Sequence, residues 1–152
     1  MENAQVPWMV VVGSSWASPL YNSPDSEVAE LKYIVSKSID IDVAHKLPWH
    51  KGKCQKLHGH TLTIRVAVSS FKLDGNGIVV DFGQIKEFLN SIKDVLDHQY
   101  LNEIQGLVNP TAENICNWIS TVFSVSCIEW GVSPEYIEVW ETKTCCVRME
   151  YS

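Results

Sequence analysis

The chain has 152 residues, which is enough for one domain with a hydrophobic core and too few for two of ordinary size. Its formal net charge of −6 argues against a nucleic-acid partner, and no Lys/Arg cluster in the sequence is large enough to neutralise a phosphate backbone. The net charge does not exclude a small anionic substrate, because a few local cations suffice to bind one phosphate chain.

The cysteines and the apolar runs bear on the compartment. The chain has five cysteines, and two of them are adjacent. An odd number without a regular spacing indicates free thiols in a reducing environment. The run from Trp8 to Val12 lacks the basic flank of a signal peptide, and no stretch reaches the length of a membrane span. We therefore expect a cytoplasmic protein with no membrane partner.

Residues 1–32 differ in composition from the rest of the chain. The segment "GSSWASPLYNSPDSE" is rich in Ser, Pro, Gly and Asn, which favours loop or linker. We expect residues 1–32 to form an N-terminal extension, looped or loosely docked, and residues 33–152 to form the folded domain.

The pattern then predicts secondary structure in chain order. Alternation of Ile39, Ile41 and Val43 predicts a first strand, and "HTLTIRVAV" predicts a second. Asp81 and Thr111 are candidate N-caps of two helices whose apolar residues repeat at intervals of three and four. The segments "YIEVWE" and "CCVRMEY" alternate and predict two closing strands.

The element order is therefore β-β-α-α-β-β. It predicts an α+β domain: an antiparallel four-stranded sheet with both helices on one face. The other face of the sheet is left uncovered, and oligomerisation is the natural way to cover it.

The stretch "KCQKLHGHTL" predicts a metal site. His58 and His60 are alternate residues, which point to one face of a strand, and His45 ends the preceding strand. Three imidazoles with a fourth position open are typical of a catalytic Zn²⁺ site. The alternative is a surface histidine pair that binds no metal.

Cys54 lies four residues before His58 and is flanked by Lys53 and Lys56. Neighbouring ammonium groups and a metal favour the thiolate, so Cys54 is a candidate base or nucleophile. A fourth zinc ligand and a small buried hydrophobe are the alternatives that the sequence leaves open.

Five further residues are candidates with simpler explanations. Asp97 precedes His98 and can orient its imidazole, although a helix end also explains the pair. Glu141 is either an exposed carboxylate at a sheet edge or a buried one that accepts N–H donors from a heterocycle. Thr111 and Glu113 lie together at a predicted helix start, where capping explains Thr111 without any ligand.

Six segments together resemble one family, the 6-pyruvoyl-tetrahydropterin synthase and 6-carboxy-tetrahydropterin synthase group. They are "DVAHKL", "KCQKLHGHTL", "GIVVDFGQIK", "LDHQYLN", "NPTAEN" and "VWET", and they span most of residues 33–152. The resemblance implies a tunnelling fold, in which subunits join their sheets into a barrel, commonly as homohexamers built from two trimers.

The resemblance also implies roles for individual residues. The zinc ligands are His45, His58 and His60, and the catalytic residues are Cys54, His98, Asp97 and Glu141, with Glu141 also anchoring the pterin. Thr111 and Glu113 belong to a segment that helps to form the pterin pocket, often across a subunit boundary.

Three residues, "QKL", separate Cys54 from the HGH motif. This spacing is similar to that of the 6-carboxy-tetrahydropterin synthases, whose product is used to make queuosine and other 7-deazaguanines. The implied reaction converts 7,8-dihydroneopterin triphosphate to 6-carboxy-tetrahydropterin, acetaldehyde and triphosphate. The alternatives are the pyruvoyl branch, which eliminates triphosphate without losing carbon, and a non-catalytic zinc- or pterin-binding module.

Overall fold

The computed structural model describes residues 30–152. The expected extension at 1–32 therefore lies almost wholly outside the described residues, whereas Leu31–Ser152 form one compact unit. No helix in the described part of the chain combines the length and apolar character that a membrane span requires.

Five strands and two helices make up this unit. In chain order they are β1 (Tyr33–His45), β2 (His58–Ser70), α1 (Phe82–Leu96), β3 (Gln99–Tyr100), α2 (Ala112–Trp130), β4 (Ser133–Thr142) and β5 (Cys145–Glu150). The sheet order is β3-β1-β2-β4-β5, and every neighbouring pair is antiparallel except β1 with β3. The α+β architecture and the four long strands are confirmed.

The sheet has five strands and not the predicted four, because the structure adds the short strand β3. Strand β3 has two residues and runs parallel to β1, where it pairs only with Val43 and Ala44. Two residues are too few to show any periodicity in the sequence. Most of the outer edge of β1 consequently has no strand partner within residues 30–152.

Both helices begin where the capping pattern predicts. The Asp81 carboxylate accepts a hydrogen bond from the Gly83 N–H, and the Thr111 hydroxyl accepts one from the Asn114 N–H. Helix α2 ends at Gly131, whose left-handed backbone (φ 70°) suits glycine.

One hydrophobic core joins both helices to one face of the sheet. Its fully buried members are the inward residues of the central strands and the apolar stripes of the helices, including Ile64, Ile137, Ile85, Ile119 and Phe123. The opposite sheet face carries polar residues and has no helix among the described elements, as expected for a sheet that joins others into a barrel.

The sequence favours Cys145 and Cys146 as packing residues of the last strand, but this is wrong, because both side chains are exposed at the start of β5. The buried thiols are instead Cys116 and Cys127 of α2, where burial raises the pKa of each to about 12. These two act as small core residues and not as nucleophiles.

A buried carboxylate links three strands on the face that lacks helices. Glu138 of β4 is only 3% exposed, and it accepts hydrogen bonds from Arg148 Nε (2.9 Å), Arg65 Nη1 (3.1 Å) and Trp140 Nε1 (3.1 Å). Burial acts to raise its pKa, but the hydrogen bonds from Arg148 and Trp140 and the charges of both arginines outweigh burial. The pKa of Glu138 is therefore below its ordinary value of 4.5.

This lowered pKa predicts how stability depends on pH. Ionised Glu138 stabilises the folded state at pH values above about 4.5, and that contribution is lost as the pH falls through the lowered pKa of the folded state. Glu138→Gln should cost about 2 kcal/mol of unfolding free energy at pH 7 and should flatten the acid dependence. Urea unfolding between pH 7 and pH 3 measures both effects.

Glu150→Gln is the matched control, because Glu150 is exposed and lies 3.6 Å from the same Arg148. The control should follow the unsubstituted chain at every pH. Equal acid dependence in all three proteins would contradict the assigned role of Glu138.

Candidate active site

The pairing of β1 with β2 brings three histidines to one end of the sheet. His45 lies directly opposite His58, and Val43 lies opposite His60. Alternate residues of a strand share a face, so all three imidazoles point to the same side as the buried Val43 and Leu62. The expectation that His45 meets the HGH motif is confirmed by this register.

Gly59 leaves room for this close pairing. A Cβ at that position would lie 3.1 Å from the carbonyl oxygen of Val43, which is tighter than almost all real contacts of a Cβ atom. A larger residue between His58 and His60 would therefore push the two strands apart.

The three rings form a compact triangle. One ring nitrogen from each histidine lies within 4.8 Å of the other two. The ring centroids are 4.5 Å apart for His45 and His58, 5.0 Å for His58 and His60, and 5.2 Å for His45 and His60. A single ion can contact three nitrogens at such separations.

Backbone carbonyls fix the orientation of two of these rings. His45 Nδ1 donates to the carbonyl of Pro110, and His58 Nδ1 donates to that of Lys56, both at 2.7 Å. This assigns the proton to Nδ1 and leaves the lone pair on Nε2.

The Nε2 atoms of His45 and His58 are buried and have no hydrogen-bond partner within residues 30–152. A buried polar nitrogen without a partner is costly, and a metal ion is the partner that such a lone pair fits. Imidazole ligands suit zinc and neighbouring transition metals better than magnesium or calcium. The residues present therefore fit the metal group that the sequence predicts.

His45 is also held in the neutral form that binds metals. Burial lowers the pKa of His45, although the Pro110 carbonyl and the negative charge of Glu141 act in the opposite direction. Glu141 is half-buried on β4, at the point where the pairing of β4 with β5 changes register between Trp140 and Thr142.

Cys54 lies outside the metal-ligand group. It is half-buried in a short 3₁₀ turn (Lys53–Gln55), and its carbonyl accepts a 2.8 Å hydrogen bond from the Leu47 N–H. Its thiol is not part of the group of ligand atoms that His45, His58 and His60 form, nor of the group that Asp42, Asp97 and His98 form. This position agrees with the hypothesis that the thiol acts beside a metal and does not bind it.

The predicted contact between Asp97 and His98 exists in the structure. His98 Nδ1 lies 3.0 Å from Asp97 Oδ2, and the His98 side chain is 76% exposed. The N–H of Asp42 donates to Asp97 Oδ1 at 2.8 Å and holds the pKa of that carboxyl below its ordinary value, with His98 and Lys93 acting in the same direction against desolvation. Asp97 is therefore a charged acceptor for His98.

Asp42 is a member of this second group that the sequence analysis missed. Its carboxylate, that of Asp97 and the His98 ring each place one atom within 4.8 Å of the others, and Thr61 donates to Asp42 Oδ1 at 2.6 Å. The carbonyl of Asp42 also accepts the His98 N–H at 2.6 Å, which holds His98 in a left-handed backbone (φ 58°). Alternation in β1 places Asp42 outward, but nothing in the sequence links it to a residue 55 positions away.

The segment "NPTAEN" has a structural role that the sequence did not predict. Thr111 caps α2 and Glu113 is exposed in the first turn, whereas Pro110 supplies the carbonyl that orients His45. Asn114 Nδ2 donates to the carbonyls of Val108 and Asn109 and so holds this segment in place. Part of the segment thus supports the metal triangle, and the proposed contact of Thr111 and Glu113 with a pterin stays a prediction.

The fold and site together define an α+β domain with three histidines that could hold a metal ion and a separate Asp–His pair. A family model described as 6-pyruvoyl tetrahydropterin synthase matches residues 34–152. The chain belongs to this family and is one of its enzymes.

Two curated relatives carry a more specific name. The 6-carboxy-5,6,7,8-tetrahydropterin synthase of Synechocystis sp. is 40% identical over 122 residues, which cover 76% of this chain and 92% of the relative. The Haemophilus influenzae protein of the same name is 38% identical over 134 residues, covering 72% of this chain and 93% of the relative.

A solved structure supports the fold. The 6-pyruvoyl tetrahydropterin synthase of Caenorhabditis elegans matches with a TM-score of 0.68 at 19% identity, over 80% of this chain and 97% of that one. The tunnelling fold is therefore confirmed.

The histidine triangle predicts selective loss of metal on substitution. After loading with zinc and exhaustive dialysis, the unsubstituted protein should retain about one equivalent per chain. His58→Ala should lower zinc affinity by at least about tenfold, because one of three ligands is lost. Elemental analysis of the dialysed proteins measures the retained metal.

His50→Ala is the control, because His50 lies in the adjoining loop, outside the triangle, and its Nδ1 accepts the Gly52 N–H. It should retain zinc like the unsubstituted chain. Equal retention by His58→Ala and the control would exclude the histidine triangle as the metal site.

Proposed function

We propose that this chain is a zinc-dependent 6-carboxy-5,6,7,8-tetrahydropterin synthase. It would convert 7,8-dihydroneopterin triphosphate and water to 6-carboxy-tetrahydropterin, acetaldehyde and triphosphate, as a carbon–carbon lyase of cytoplasmic queuosine and 7-deazaguanine biosynthesis. The observation that carries the proposal is the triangle of His45, His58 and His60 with two buried, unpartnered Nε2 atoms, in a chain 40% identical to a relative of that name.

Zinc held by the three histidines would supply a Lewis acid that makes substrate hydroxyl groups more acidic. The protein must therefore hold these histidines in the neutral form and in a fixed orientation. Burial of His45 and the carbonyls of Pro110 and Lys56 meet that requirement.

Glu141 would fix the pterin ring. A carboxylate that accepts hydrogen bonds from adjacent ring and amino N–H groups gives a charge-assisted and directional contact. Its half-buried position near the histidine triangle supports this role, because the ring would then lie beside the metal group.

Cys54 and His98 would move protons. A thiolate at Cys54 would remove a proton from the side chain of the substrate, and His98 would pass protons from its free Nε2 while Asp97 holds Nδ1. The ionised state of Asp97 supports this orientation of the ring.

The Asp42–Asp97–His98 group and the histidine triangle are separate within one chain. The proposal is that copies of the chain assemble as a homohexamer built from two trimers, with pterin pockets that several copies complete, including Thr111 and Glu113. The uncovered sheet face and the unpaired edge of β1 support assembly through the sheets.

The product distinguishes this activity from its alternatives. With 7,8-dihydroneopterin triphosphate, the zinc-loaded protein should release acetaldehyde in equal amount to a pterin with the mass of 6-carboxy-tetrahydropterin. Mass spectrometry and an acetaldehyde assay measure both products.

Cys54→Ala should retain zinc and lose at least about a hundredfold in turnover, because the base is removed and the metal ligands are not. Formation of 6-pyruvoyl-tetrahydropterin without acetaldehyde would assign the pyruvoyl reaction instead. Binding of pterin and zinc with no product would assign a binding module.

A further inference from the structure

Cations are concentrated in the segment that joins β1 to β2. Residues 46–57, "KLPWHKGKCQKL", contain Lys46, Lys51, Lys53 and Lys56 and no acidic residue; we call this segment the lysine loop. All four lysines are exposed. A third of the chain's 12 Lys and Arg residues thus lie in one short loop of a protein whose formal net charge is −6.

These four ammonium groups have no carboxylate within 4 Å in residues 30–152. Of the six lysines elsewhere in the chain, two have such a partner: Lys32 pairs with Glu135 and Lys93 pairs with Asp97. The local positive charge of the lysine loop is therefore not neutralised by the described part of the fold. A patch of one sign on a protein of the opposite net sign attracts small ions of the complementary charge.

Hydrogen bonds close the lysine loop into a compact unit. The Leu47 N–H donates to the Cys54 carbonyl at 2.8 Å, and Gln55 Nε2 donates to the Pro48 carbonyl at 3.2 Å. This closure joins the two ends of the loop. The backbone of Lys46, next to Leu47, is consequently brought near the backbone of Lys53, next to Cys54.

The same loop is fixed to the candidate active site. The Lys56 carbonyl accepts the hydrogen bond that orients His58, and Cys54 lies between two of the lysines. The backbone of Lys46 exchanges two hydrogen bonds of 2.9 Å with the Asn102 side chain. An anion bound by these lysines would therefore lie beside the thiol and the histidine triangle.

We propose that the lysine loop binds the phosphate chain of the substrate and so places the reacting side chain against Cys54 and the histidines. The inference rests on the proposed function only in naming a phosphorylated pterin. Ammonium groups are flexible point charges that bind phosphate oxygens without requiring one geometry. Several ammonium groups around one phosphate chain should bind a triphosphate more tightly than a monophosphate. They should bind both more tightly than an unphosphorylated hydroxyl group.

The test compares two double variants that change the net charge equally. Lys51→Gln/Lys53→Gln removes two cations from the lysine loop, whereas Lys72→Gln/Lys86→Gln removes two exposed cations outside it. Calorimetric titration with inorganic triphosphate on the zinc-loaded full chain should show about tenfold weaker binding for the loop variant only. Zinc content is measured before and after titration, because triphosphate also chelates metals.

A second readout uses the pterin substrates. The loop variant should raise KM for 7,8-dihydroneopterin triphosphate by about tenfold, with less effect on the monophosphate and none on binding of unphosphorylated dihydroneopterin. The control pair should match the unsubstituted chain throughout.

The outcomes separate this inference from the proposed function. Equal triphosphate binding by both double variants overturns the lysine-loop site, even if turnover to the carboxy product is observed. Weaker triphosphate binding in the loop variant alone supports the site, even if the unsubstituted protein forms no carboxy product and the proposed reaction is wrong.

Discussion

The structure of the candidate active site depends on one backbone pairing, that of His45 with His58 across β1 and β2. A shift of one residue in this register would turn one set of imidazoles to the opposite face of the sheet and separate the triangle. The register is secured by core residues on the same two strands, because Ile41, Leu62 and Ile64 must be buried under the helices. The energy of the hydrophobic core thus maintains the spacing of the metal ligands.

Main-chain atoms complete the arrangement of the candidate active site. The carbonyls of Pro110 and Lys56 orient two histidines, and the main chain of Asp42 holds Asp97 and His98 through one N–H and one carbonyl. Since Pro110 precedes the cap of α2, the start of that helix and the metal group are mechanically connected. A change that loosens the cap should therefore also disturb His45.

The sequence was sufficient to predict the elements whose apolar residues repeat at regular intervals. Alternation identified the four long strands, and the intervals of three and four identified both helices with their caps at Asp81 and Thr111. Strand β3 was missed because two residues show no period. The burial of Glu138 was missed because it depends on arginines from two neighbouring strands, and the exposure of Cys145 follows from its position at a hairpin end.

The candidate site was predictable to the extent that it depends on side-chain type. His45, His58 and His60 could be grouped because strand alternation and hairpin pairing have simple geometry, and the contact of Asp97 with His98 follows from adjacency. Asp42 could not be found in this way, since its partners lie far along the chain. The carbonyl partners of the histidines could not be found either, because every residue has a carbonyl and its direction depends on the folded loop.

The central claim is that three imidazoles and no thiolate hold the metal. Zinc K-edge X-ray absorption of the loaded protein tests it most directly. We predict three nitrogen neighbours and one further light atom at about 2.0–2.1 Å, with a spectrum that Cys54→Ala leaves unchanged. A sulfur neighbour at about 2.3 Å that disappears in Cys54→Ala would contradict the account, because the site would then be closed by the residue proposed as its base.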